Sequence, residues 1–205
     1  MSKELWLKRI RNYAGFLGMI LPWLSLIGAL LFRGIKPSWS DFSISATYYV
    51  TPALTAILTS ASIVLMCYDG YDKWDSFVTT ISGVFGLCIV LFPCKCNVSM
   101  EHVGYFQLPV KVSNILHCIS AMMFFILLAY NDIFLFTKHE ETMTSKKKIR
   151  NMVYIICGIG MLSAMILIPL PIHFNAKTWW VEMVALTFFG ISWLTKGEVF
   201  KFLND

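Results

Sequence analysis

The chain has 205 residues, of which 57% are apolar and only 14% are charged, and its formal net charge is +5. A soluble domain is about 45–50% apolar and about 25% charged, so this composition excludes an ordinary soluble domain and predicts an integral membrane protein. The basic residues form no stripe interleaved with aromatic side chains, which argues against a nucleic-acid-binding surface.

Six apolar runs are each near the length that crosses about 30 Å of hydrocarbon at about 1.5 Å per residue. In chain order they cover residues 14–32, 51–68, 76–93, 112–136, 152–171 and 179–195. No internal repeat of about 20–50 residues relates the runs to one another. The sequence therefore predicts an all-α membrane protein, with residues 1–205 forming one domain built as a bundle of six transmembrane helices.

The distribution of basic residues predicts the orientation. Twelve of the 17 lysines and arginines fall on the side that holds the N-terminus, the links after spans two and four, and the C-terminus. Cytoplasmic loops of membrane proteins carry the excess of basic residues, so we expect both termini to be cytoplasmic. The expected location is the bacterial inner (plasma) membrane, and the expected partners are membrane lipids.

Three aspartates, Asp69, Asp72 and Asp75, precede the third predicted span. Residues three apart fall on nearly one face of a helix, whereas Gly70 favours a turn. Asp75 stands beside Ser76 at the predicted start of the span, where a carboxylate stabilises a helix N-terminus. We expect Asp75 to cap the third span or to bind a basic partner. Asp69 and Asp72 are expected to be solvated or paired with basic residues.

A second polar layer is predicted at the opposite, outer ends of the spans, and it contains His102, His117, His173 and Glu182. His117 and Glu182 each lie about one turn into a span, where a polar side chain needs a partner. We therefore expect both to face the bundle interior and name them as candidate catalytic residues.

The same four residues are candidate metal ligands, because three imidazoles and a carboxylate suit a divalent ion such as Zn²⁺. No HxxxH or HExxH motif joins them, however, and they come from four separate segments. A structural interpretation stays open for each residue. In that case His117 bonds a neighbouring helix or a backbone carbonyl, Glu182 pairs with a cation, and His102 and His173 are simple loop residues.

Four segments carry a family-like pattern: LGMILPWLSLIGALLF, GYDKWDSFVTTISGVFGLCIVLFP, HCISAMMFFILLAY and WWVEMVALTFFGISWL. Their most specific positions are Asp75 before span three, Phe92 and Pro93 at its end, and His117 at the start of span four. In these features the chain resembles small six-span membrane families, namely the FRAG/DRAM/Sfk-type group and a set of uncharacterised bacterial six-span proteins. The resemblance implies six helices in one compact bundle and no agreed enzymatic activity.

Three functions remain open from the sequence. GxSxG, Walker and GxGxxG motifs are absent, which favours a non-enzymatic protein that binds lipids or partners, scaffolds or senses. A membrane-embedded hydrolase using His117 and Glu182 is the first alternative. A small transporter or channel is the second. It needs a polar path, yet spans two, three and five carry no ionisable side chain at their centres.

Overall fold

The computed structural model describes residues 3–34, 38–96, 100–138 and 144–204. Lys36, one of the five basic residues predicted to lie on the outer side, is outside these ranges. The described chain is helical, as predicted, and its six α-helices are α1 Lys3–Leu31, α2 Ala53–Met66, α3 Lys73–Leu91, α4 Val110–Tyr130, α5 Ser145–Leu167 and α6 Lys177–Lys196. A π-helical turn, Asn131–Leu135, extends α4.

Four of these helices are long and apolar enough to cross a membrane: α1, α3, α4 with its π turn, and α5. Only 28% of the apolar window of α5 is buried, and 39% of each of the other three. Most of this apolar surface therefore lies on the outside of the bundle, where a soluble protein rarely exposes so much. α2 is shorter, with 14 residues, and α6 has 20 residues.

Two helices begin well before the apolar runs that predicted them. α1 begins at Lys3 and α5 at Ser145, whereas the predicted spans begin at residues 14 and 152. Lysine and arginine are good helix formers, so the basic segments before these spans continue the helix. Thr144 fixes the start of α5, because its side chain accepts a hydrogen bond from the N–H of Lys147 at 3.1 Å.

The six helices form a closed ring in chain order. Each helix packs against the next one along the chain, and α6 packs back against α1. Large side chains fill the centre, including Phe189 and Trp193 of α6 and Met161 of α5, none more than 2% exposed. Gly15 of α1 and Gly190 of α6 let two helices approach closely, since a Cβ on Gly190 would lie 3.0 Å from the Gly15 carbonyl oxygen.

The polar links gather at two opposite ends of the ring. At one end, called the basic end, Lys3 pairs with Asp69 at 2.6 Å and Lys8 pairs with Glu198 at 2.8 Å. These pairs join the start of α1 to the α2–α3 link and to the segment after α6. At the other end, called the hairpin end, strands β1 His102–Val103 and β2 Leu108–Pro109 pair antiparallel. A 3₁₀ helix, Ser45–Tyr49, lies at this end before α2.

Candidate functional site

His117 lies at the hairpin end and is buried, with 4% of its surface exposed. Its Nδ1 lies 2.9 Å from the carbonyl oxygen of Phe92 and 3.2 Å from that of Ile89, both at the end of α3. Carbonyl oxygens only accept hydrogen bonds, so Nδ1 carries a proton and donates it. Nε2 is turned to the hydroxyl of Ser45 at 3.1 Å.

Glu182 meets the same serine from α6. One carboxylate oxygen accepts the backbone N–H of Ile44 at 2.6 Å, and the other accepts the Ser45 hydroxyl at 3.0 Å. Both donors lie at the start of the 3₁₀ helix, where N–H groups have no partner within the helix. The carboxylate therefore fixes this segment to α6, and Ser45 links it to His117 on α4. This group of Ser45, His117 and Glu182 is called the serine clasp below.

The hydrogen bonds of the serine clasp require one additional proton. The Ser45 hydroxyl has a single hydrogen but faces two groups that can accept it, the Glu182 carboxylate and Nε2 of His117. All contacts are satisfied only when one more proton is present, either on the carboxyl or on Nε2. In both cases the group is electrically neutral as a whole. Neutrality lowers the cost of placing a carboxyl and an imidazole together in an apolar bundle.

The clasp contains one contact that serine nucleophiles use, a hydroxyl beside an imidazole nitrogen. Here, however, the carboxylate binds Ser45 itself, and the far side of His117 faces carbonyl groups instead of an acid. The geometry fits a structural link between helices as well as it fits a nucleophile with its base. The hydrolase therefore stays a prediction, and Ser45 joins its candidate residues.

The other two predicted metal ligands, His102 and His173, are exposed and are not part of the serine clasp. His102 is exposed in β1, and His173 is exposed between α5 and α6. Across residues 3–34, 38–96, 100–138 and 144–204, no group of three or more His, Cys, Asp or Glu side chains is placed to hold a metal ion.

The three aspartates of the basic end have different roles, and the one that caps α3 is not Asp75. Asp72, not Asp75, is the N-cap of α3, and its side chain accepts the N–H groups of Trp74 and Asp75 at 2.9 Å each. The cap lies here because the helix begins at Lys73, three residues before the predicted span. Asp69 pairs with Lys3, and both are largely exposed.

Asp75 is the buried member and binds a basic partner, which was the other expectation for it. Its side chain is 3% exposed, and one carboxylate oxygen contacts the ammonium of Lys138. The second oxygen accepts the N–H of Tyr71 at 3.1 Å. Lys138 also binds Asp72 at 2.8 Å, and this contact, with the two backbone N–H groups, lowers the pKa of Asp72 to about 2. The lysine thus joins the end of α4 to the start of α3.

A cationic cleft opens beside this aspartate group. It has a volume of about 150 Å³, and Arg11 is its most buried cation together with Lys147, each 7% exposed. The guanidinium of Arg11 donates to the Tyr68 hydroxyl at 3.1 Å and to the Lys196 carbonyl at 3.4 Å. The charged side chains lining the cleft are Arg11, Lys138, Lys147, Arg150, Lys196 and Glu198.

From the sequence, Arg11 and Lys196 were interpreted only as markers of orientation. Arg11 is the last charged residue before the apolar run of α1, and Lys196 is the last residue of α6. Their meeting depends on α6 returning to pack against α1, which no local pattern encodes. The sequence signal for a shared site was their position at the ends of the apolar runs, because charges there face either water or the bundle interior.

Comparison with protein-family models, with curated proteins and with solved structures found no match to this chain. The resemblance to small six-span membrane families therefore stays a prediction, and the functional argument depends on the geometry of the two ends.

Proposed function

We propose that this chain is a six-span protein of the bacterial inner membrane, with both termini in the cytoplasm, that binds the anionic head group of a phospholipid in its cationic cleft. One observation carries the proposal. Arg11 is buried in the cleft, its Nε has no hydrogen-bond partner among the described residues, and no carboxylate there lies within ion-pair distance of it. A buried guanidinium is costly unless an anion compensates its charge.

The chemistry of the cleft favours a phosphate group. The guanidinium is a planar fork that matches phosphate oxygens, and lysine ammonium groups add point charges around it. Lys196 also lies 4.7 Å from the ring centre of Tyr71, so an aromatic face lines the same opening. Basic pockets between helices on the cytoplasmic side of a membrane bind anionic lipid head groups. The cleft lies near the starts of α1 and α5 and at the end of α6.

Helix lengths support six spans. α6 has 20 residues, or about 30 Å at 1.5 Å per residue. α2 has 14 residues, about 21 Å, and lies within the 18-residue apolar run 51–68. The length of α6 thus matches the thickness of the hydrocarbon layer, and the run that contains α2 is close to it. The basic end carries the predicted cytoplasmic links, in agreement with the excess of lysine and arginine there.

The topology predicts opposite labelling at the two ends. In a variant without the six native cysteines, we expect Lys148→Cys at the basic end to react with a membrane-impermeant maleimide only after the cells are opened. Tyr105→Cys, in the hairpin and 81% exposed, should react in intact spheroplasts. Labelling of Lys148→Cys from outside would contradict the orientation, and labelling of both positions from one side would contradict the single span, α4, that separates them.

For the cleft, we expect the purified protein in neutral detergent to bind fluorescent phosphatidylglycerol more tightly than phosphatidylcholine with the same acyl chains. Arg11→Gln should weaken phosphatidylglycerol binding about tenfold, because a hydrogen bond to a charged group contributes about 1.5–3 kcal/mol. Arg11→Lys, which keeps the charge but lacks the planar fork, should bind with an affinity between those of the unchanged protein and Arg11→Gln. Arg9→Gln is the matched control, since Arg9 is exposed on the same helix and does not line the cleft.

Competition separates a lipid site from a site for a small anion. Glycerol phosphate should displace the fluorescent lipid only at much higher concentration than phosphatidylglycerol does. Equal displacement by inorganic phosphate would identify a soluble anion as the ligand. Equal affinity of the unchanged protein for phosphatidylglycerol and phosphatidylcholine would contradict the proposal.

A further inference from the structure

Asp132 is a second buried ionisable residue, and its position was not recognised as special from the sequence. It lies in the π turn after α4, has no exposed surface, and neither carboxylate oxygen has a hydrogen-bond partner among the described residues. Ser192 of α6 faces it, but the two do not meet in a hydrogen bond of good geometry. π turns often mark functional positions in helices.

Lys196 connects Asp132 to the cationic cleft. It is the cation of α6 that interacts electrostatically with Asp132, and it also lines the cleft. Its ammonium donates to the carbonyl of Phe136 at 3.0 Å, immediately after the π turn. Asp132 and the cleft therefore share Lys196, through which the charge of the carboxyl acts on an anion bound there.

Few other ionisable groups act on this carboxyl. Tyr154 and Cys157 of α5 interact with it electrostatically. α3 also packs against the π turn, and its ionisable residues are Lys73, Asp75 and Cys88. On its own segment the nearest are Tyr130 and Lys138, and Lys138 is bound to two aspartates.

We propose that Asp132 couples anion binding in the cleft to the uptake of one proton, an inference that rests on the lipid-binding function proposed above. An ionised carboxylate beneath the cleft offsets the charge of Lys196 and repels a phosphate. The protonated carboxyl is neutral and removes both effects, so the anion binds more tightly. By linkage, the bound anion favours the protonated carboxyl by the same factor. A buried carboxyl with no hydrogen-bond partner also gains most from being neutral.

The test measures phosphatidylglycerol affinity in neutral detergent between about pH 5 and about pH 9, the range in which buried carboxyl groups titrate. The unchanged protein should lose about tenfold in affinity as the pH rises, a typical size for coupling between two sites. Asp132→Asn should bind as tightly at high pH as the unchanged protein does at low pH, without the pH dependence. Asp69→Asn, an exposed aspartate at the same end, should keep the full dependence.

Proton uptake gives an independent measurement. Adding phosphatidylglycerol in weakly buffered detergent should withdraw protons from solution with the unchanged protein and not with Asp132→Asn. Persistence of the pH dependence in Asp132→Asn overturns the coupling. Anion binding that is strong but independent of pH in the unchanged protein overturns the coupling and leaves the lipid-binding function intact. Absence of any preference for the anionic lipid at every pH overturns both.

Discussion

Replacing Glu182 by alanine should destabilise the protein by about 2 kcal/mol, whereas replacing it by glutamine should be nearly neutral. Alanine leaves the N–H of Ile44 without its acceptor, and an orphaned buried donor costs about 1–3 kcal/mol, whereas the Ser45 hydroxyl still has Nε2 of His117 as an acceptor. Glutamine reproduces the protonated carboxyl. Its carbonyl accepts the Ile44 N–H, its amide donates to Ser45, and the Ser45 hydroxyl is then free to donate to His117.

Thermal and denaturant unfolding in detergent, followed by circular dichroism, measure this difference. Glu4→Ala is the control, because Glu4 is exposed and its pair with Lys8 lies on the surface of α1. Surface pairs contribute about 0–1 kcal/mol, so this variant should unfold close to the unchanged protein. Equal loss of stability in Glu182→Ala and Glu182→Gln would contradict a clasp that is neutral because it carries the additional proton, and would favour an ionised carboxylate. No loss in either would remove the structural role and favour the hydrolase hypothesis.

The sequence predicted the helices well because each one depends on a long apolar run, which is a local property. It also placed His117 and Glu182 on helices that meet at the same end. It could not identify Ser45 as the residue between them. Ser45 lies in an irregular segment, and the path of such a segment depends on contacts with distant helices, here with Glu182 at a separation of 137 residues.

Asp132 was missed for a different reason. It lies inside the run 112–136, where the surrounding apolar residues dominated the interpretation, although an ionisable side chain within a span was signal enough. Asp72 is the cap of α3 because a shift of three residues in the helix start moves the cap by one aspartate, whereas Asp75 binds a basic partner, which was the other expectation for it. The existence of elements was thus predictable, while the assignment of neighbouring polar residues was not.

Asp75→Asn should cost about 2 kcal/mol at pH 7, although the same exchange of carboxylate for amide at Glu182 should be tolerated. The reason lies in the partners. Asp75 faces two donors that cannot accept, the ammonium of Lys138 and the N–H of Tyr71. An asparagine has one carbonyl oxygen, so its amide N–H₂ must point at one of these donors, and that donor loses its partner.

The charge adds to the hydrogen-bond loss at Asp75. Removing one partner of a buried ion pair leaves the other uncompensated, but Lys138 keeps Asp72, whose pKa of about 2 leaves it ionised at pH 7. The remaining pair limits the loss to about 2 kcal/mol, below the 3–5 kcal/mol of a fully broken buried pair. Asp69→Asn is the matched control at an exposed pair and should unfold close to the unchanged protein. The same unfolding measurement decides: equal stability of the two variants would show that burial of Asp75 does not make its pair with Lys138 stronger than a surface pair.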